Sequence, residues 1–245
     1  MSTLQHTVRG AAPPGPDAAA WAPWLTVQVL LLAALATTTG LGPWGWLTGV
    51  AVGATACVLL HRAMRHAGRL ALGPADHVTL ARTTLAGGVT ALVADPGGPP
   101  AALLATLAAV ALALDFVDGR VARRTGTSSA LGARFDMEVD AFLILVLSVH
   151  VAATLGPWVL AVGALRYLFV AAAWVWPWLS APLPPSLARK AVAAAQGIVL
   201  VAAASGAVPL PAVAVGLALA ALLWSFGRDV VWLYRQPTSE RCCHV

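Results

Sequence analysis

Residues 115–140 read DFVDGRVARRTGTSSALGARFDMEVD, and the rest of the chain is best read outward from them. The stretch holds four aspartates, Asp115, Asp118, Asp136 and Asp140, in a protein whose apolar segments are otherwise almost free of acidic residues. On a helix, Asp115 and Asp118 are three apart and share a face, while Asp136 and Asp140 are four apart and share a face of the next helix. Two such helices turned toward each other gather four carboxylates at one point. Carboxylates that close repel and raise one another's pKa unless a cation sits between them. One or two hard divalent ions with all-oxygen ligands meet that need, with Mg²⁺ or Mn²⁺ the natural candidates. The plainer alternative, helix caps and surface charges paired with Arg120, Arg123, Arg124 and Arg134, suits a lone aspartate better than this set.

The surroundings are those of a membrane protein. Of the 245 residues 59% are hydrophobic and only 10% charged, against roughly 25% charged in soluble domains; the mean hydropathy is +0.80. Apolar runs near the ~20 residues needed to cross a bilayer fall at 23–40, 43–60, 76–95, 99–119, 134–155, 157–179, 187–206 and 209–233, separated by Gly and Pro. The expectation is an all-α, polytopic transmembrane helical bundle. The three cysteines, Cys57, Cys242 and Cys243, form no zinc or disulfide pattern. Arginine and lysine concentrate in alternate turns, at Arg62, Arg65 and Arg69, at Arg120 to Arg134, at Arg189 and Lys190, and at Arg228 to Arg241. By the positive-inside rule both termini and the aspartates face the cytoplasm. The net charge of +5 then reflects inner loops meeting anionic headgroups and calls for no nucleic acid.

The full pattern is Asp-x2-Asp-Gly-x2-Ala-Arg-x8-Gly-x3-Asp-x3-Asp, with Gly119, Ala122, Arg123 and Gly132 between the aspartates. It resembles the signature of the CDP-alcohol phosphotransferase family of integral membrane enzymes of phospholipid synthesis. A looser family feature, Asn or Asp followed by Thr-x2-Arg, is matched by Asp76, Thr79 and Arg82. The resemblance implies a six-helix core at 76–235. It would be preceded by a disordered cytoplasmic N-terminus (1–22), an extra transmembrane helix pair (23–60) and a cytoplasmic basic linker (61–75), and followed by a polar tail (236–245).

The resemblance also implies the chemistry. Asp115, Asp118, Asp136 and Asp140 would hold two divalent ions, with Asp140 also the base that takes the acceptor hydroxyl proton. Asp76, Thr79, Arg82, Gly119, Ala122, Arg123 and Gly132 would bind the CDP-linked donor. The expected reaction moves a phosphatidyl group from CDP-diacylglycerol to a small polar alcohol and releases CMP, in a homodimer of the bacterial cell membrane. A second branch of the family, which transfers a phospho-headgroup from a CDP-alcohol to a lipid acceptor, stays open.

The acceptor is less defined. In relatives using phosphorylated acceptors the last motif aspartate is commonly followed by Lys or Arg; here it is Ala141. Arg166, Arg189 and Lys190 are the acceptor-binding candidates. Arg166 lies deep in an apolar run, where a charge normally faces a cavity or a partner, while Arg189 and Lys190 equally fit the positive-inside rule. Two other classes compete: a transporter, which should carry polar residues at mid-membrane depth on several helices, and a non-catalytic scaffold of the same fold, which should have lost a motif aspartate. All four are present.

Overall fold

Pro23, Pro43, Pro74, Pro157 and Pro211 each open a helix or a 3-10 turn in this chain, in keeping with proline's tolerance in the first turn, where its missing N–H is no loss. The computed structural model describes residues 21–66, 72–125, 130–184 and 186–235, leaving aside the side chains at 74–75, 116–125 and 130–131. The expected terminal segments therefore lie almost wholly outside the described residues. Among these residues eight helices follow in order: α1 (Ala22–Thr39), α2 (Pro43–His66), α3 (Pro74–Ala94), α4 (Ala101–Thr125), α5 (Ala130–Leu155), α6 (Leu160–Val175), α7 (Leu187–Ala204) and α8 (Pro211–Arg235). The described residues contain no strand.

Among the described residues six helical stretches (α1, α2, α5, α6 together with the 3-10 turn that precedes it from Pro157, α7 and α8) are long and apolar enough to cross a bilayer, and the protein is an integral, multi-pass membrane protein. The apolar part of α4 is the shorter Ala101–Asp115; beyond it the helix carries the first half of the motif. Some boundaries differ from the sequence expectation. Helix α2 runs on to His66, into the expected linker, and α4 to Thr125. The expected span 157–179 divides into a 3-10 turn at Pro157–Val159, helix α6 and a second 3-10 turn at Pro177–Ser180, because Pro177 cannot continue a helix.

The core joins α1, α3, α4, α5, α7 and α8 through Leu32, Leu35, Val89, Leu92, Leu104, Leu143, Leu147, Leu200 and Val215. Large apolar side chains also cover the outside: Trp174 is 82% exposed and Leu217 68%. An apolar exterior needs lipid around it. Without a hydrophobic drive between helices in lipid, close packing of small residues must hold them together. A Cβ at Gly163 of α6 would lie 2.5 Å from the Cα of Leu145 in α5, so only glycine permits that crossing. The hydroxyls of Thr83, Thr84 and Thr90 on α3 bond back to the carbonyls of Thr79, Leu80 and Ala86 at 2.7–3.0 Å, which leaves them satisfied without water.

The extra pair α1–α2 is seated firmly on α3. Along α2, Gly49 faces Leu32 and Gly53 faces Gln28; Gly87 of α3 faces Gln28 from the other side. A Cβ at Gly87 would stand 2.6 Å from Gln28 Nε2. Gln28 is 2% exposed, and neither amide atom has a hydrogen-bond partner among the described residues. At one end the Gly42 amide donates to Asp95, just past α3, at 3.1 Å. At the other, Trp24 Nε1 of α1 donates to His77 Nδ1 of α3 at 3.3 Å.

Candidate active site

Asp115 lies in α4, Asp136 and Asp140 one turn apart in α5, and Arg82 two turns into α3. The three helices bring these side chains to one point. Arg82 is 1% exposed. Its Nε donates to the Ala111 carbonyl of α4 at 3.2 Å, which aims the guanidinium. Nη1 then meets Asp115 at 3.0 Å and also Asp136, while Nη2 meets Asp140. Planar and always charged, arginine suits a buried site shared by several carboxylates.

One oxygen from each of Asp115, Asp136 and Asp140 can be chosen so that all three lie within 4.8 Å of one another. Two oxygens on one Mg²⁺ or Ca²⁺, at ~2.0–2.6 Å each, stand at most about 4–5 Å apart, so this donor set fits a shared divalent ion with small adjustments. The formal charges agree. Three carboxylates and one guanidinium give −3 + 1 = −2 among these residues. Each carboxylate side chain is also about a third exposed, so the cluster opens outward while the arginine closes it from within.

The other expected site residues take varied places. Asp118, Gly119, Ala122 and Arg123 ride on α4, with side chains outside the described residues. Gly132 is half-buried in α5. Asp76 is buried and accepts the Gly73 amide at 2.7 Å, capping α3; Thr79 is buried one turn before Thr83. Arg166 of α6 pairs with Glu138 of α5 at 2.5 Å. Glu138 is two residues from both Asp136 and Asp140, and so points to a different side of the helix. Lys190 is exposed.

Arg189 belongs to a second polar group that the sequence did not announce. Its Nη1 meets Asp229 of α8 at 3.2 Å and its Nη2 the Pro184 carbonyl at 2.5 Å. Arg228 reaches Ser186 Oγ at 3.2 Å and Asp229 at 3.5 Å. Ser186 caps α7 by accepting the Arg189 amide at 3.4 Å. Around them Leu183, Pro184, Ser186, Arg228, Asp229 and Trp232 line a pocket of about 180 Å³. The signal available in sequence was Asp229, the lone acid in the last apolar run.

The family model described as CDP-alcohol phosphatidyltransferase matches residues 72–227. No curated protein and no solved structure matches the chain. The matched segment starts just before α3, ends within α8 and contains Arg82 and every aspartate of the cluster; α1 and α2 precede it. Matched over more than half its length, the chain belongs to the CDP-alcohol phosphatidyltransferase family, membrane transferases that move a phosphate-linked group from a CDP-alcohol.

Proposed function

We propose that the protein transfers a phosphatidyl group from CDP-diacylglycerol to the hydroxyl of a small polar alcohol, releasing CMP. The observation that carries this reading is the convergence of Asp115, Asp136 and Asp140 on one point, within reach of a shared ion. Asp115, Asp118, Asp136 and Asp140 are the residues that would hold Mg²⁺ or Mn²⁺, two ions by family resemblance. When bound, such ions neutralise charge on a pyrophosphate and polarise the phosphorus under attack.

The chain's own groups do the rest. Asp140 takes the proton of the acceptor hydroxyl; the acceptor oxygen bonds to the lipid-side phosphorus as that phosphorus parts from the bridging oxygen, which leaves with CMP. Arg82 holds Asp136 and Asp140 in place from the buried side. Asp76, Thr79, Gly119, Ala122, Arg123 and Gly132 accommodate the cytidine nucleotide, with Arg123 as the phosphate-reading fork. Arg189 and Lys190 serve the acceptor. Arg166 is the weaker candidate there, since its partner Glu138 stands on a different side of α5 from Asp136 and Asp140. The reading places the site on the cytoplasmic face of a bacterial cell membrane, in a homodimer.

The testing experiment supplies purified protein and Mg²⁺ with CDP-diacylglycerol and a panel of alcohols, following CMP and the lipid product. A phosphatidyl-alcohol formed in step with CMP supports the reading. Turnover of only a CDP-alcohol with diacylglycerol would replace it with the family's other branch.

A further inference from the structure

The last two turns of α2 lie outside the family-matched segment and carry HRAMRH, residues 61–66. One face of this helix end is fixed: Leu60 and Met64 are fully buried and pack with Trp21, just before α1, and Leu80 of α3. The Trp21 ring meets His61 edge-on at 4.6 Å. The opposite face is basic. His61, Arg62, Arg65 and His66 line a pocket of about 370 Å³, with His66 Nδ1 held 2.7 Å from the Arg62 carbonyl. Neither Arg62 nor Arg65 meets a carboxylate among the described residues, in contrast to Arg82, Arg166, Arg189 and Arg228. His61 Nδ1 is buried there without a hydrogen-bond partner.

The same face continues along the helix as an apolar strip. Val58 and Leu59 are exposed and stand three to four residues before Arg62, one turn above it. Two cations at the foot of a lipid-facing strip match a molecule with an anionic phosphate at one end and an acyl chain at the other. A free phosphate would use the cations and ignore the strip.

We propose that this face binds one anionic glycerophospholipid, its phosphate between Arg62 and Arg65 and an acyl chain along Val58 and Leu59. The pocket's lining shares no residue with the carboxylate cluster, and its ligand is held rather than turned over. Arginine pairs with phosphate oxygens through two parallel N–H bonds, and each surface cation contributes roughly a fivefold gain in affinity for an anionic lipid.

The test uses the full-length protein, delipidated in a nonionic detergent, with lipid binding read by native mass spectrometry. Phosphatidylglycerol, phosphatidylcholine and inorganic phosphate are added separately to wild type and to Arg62→Gln/Arg65→Gln. The wild type should prefer phosphatidylglycerol. The double variant should bind its tightest phosphatidylglycerol about 30-fold more weakly, with phosphatidylcholine unchanged and an unaltered melting temperature. Arg62→Lys/Arg65→Lys, which keeps the charge, should retain most of the binding and serves in its place if the glutamine variant fails to fold. Phosphatidylglycerol held equally by wild type and folded glutamine variant, or by the lysine variant no better than phosphatidylcholine, overturns the proposal. So does inorganic phosphate binding as tightly as the lipid. No step of the readout depends on catalysis, so this result and that of the transfer assay stand apart.

Discussion

Arg82 Nη1 of α3 lies 3.0 Å from the Asp115 carboxylate of α4, and the same guanidinium reaches Asp136 and Asp140 on α5. One buried cation of α3 thus ties together the two helices that carry the motif. It stands on the inner side of a cluster whose outer side is open.

That arrangement makes Arg82 a structural counter-ion as well as part of the site. Arg82→Gln should destabilise the protein by about 3–5 kcal/mol, the usual cost of removing one partner from a buried ion pair. Millimolar Mg²⁺ or Mn²⁺ should restore part of the loss, because the carboxylates then have another cation. Thermal unfolding in detergent, with and without the metal, checks both statements; a variant that melts like wild type in EDTA contradicts them.

The two carboxylates of α5 should separate by role. Asp140→Asn keeps the shape and one ligand oxygen but cannot take a proton, so kcat should fall by ~10²–10⁴ even at saturating Mg²⁺. Asp136→Asn should instead raise the Mg²⁺ concentration needed for half-maximal rate. Near wild-type turnover by Asp140→Asn at saturating metal and acceptor would move the proton to solvent and remove Asp140 as the base.

Gln28 offers a test of the extra helix pair. Two buried amide atoms without partners among the described residues carry an unrelieved desolvation cost. Gln28→Leu should therefore raise stability, by roughly 1–3 kcal/mol, whereas Gly87→Leu, which drives a side chain into Gln28, should lower it by about as much. A drop in melting temperature for Gln28→Leu would mean that the amide has a partner in the membrane.

Arg166 and Glu138 form a partly exposed pair on a different side of α5 from Asp136 and Asp140. Replacing both, as Arg166→Gln/Glu138→Gln, should leave the acceptor KM within about twofold of wild type. Arg189→Gln should raise that KM while leaving kcat nearly intact. The opposite ranking would return Arg166 to the acceptor site.

The legible part of this protein was local in sequence. The i, i+4 spacing of Asp136 and Asp140 put both on one face of a helix, and the structure sets Asp115 beside them. Arg82 was visible as a buried charge needing a partner, but its partners lie up to 58 residues away, and only the packing of α3 on α5 names them. The same holds for Arg189 and Asp229, 40 residues apart. The extension of α2 to His66 was readable in principle, since no glycine or proline falls between Gly53 and Gly68; the density of charge in HRAMRH suggested a loop instead. The seat of Gln28 between two glycines had no sequence signal, because each glycine alone is ordinary in a membrane helix.

The most direct measurement of the central claim is CMP release from CDP-diacylglycerol as a function of free Mg²⁺, for wild type and for Asp115→Asn, with excess EDTA as the zero point. Three carboxylates placed to share one ion should give no turnover in EDTA, saturating turnover with Mg²⁺, and a markedly higher half-saturating Mg²⁺ for Asp115→Asn. Full CMP release in EDTA, or identical metal curves for the two proteins, would contradict the account.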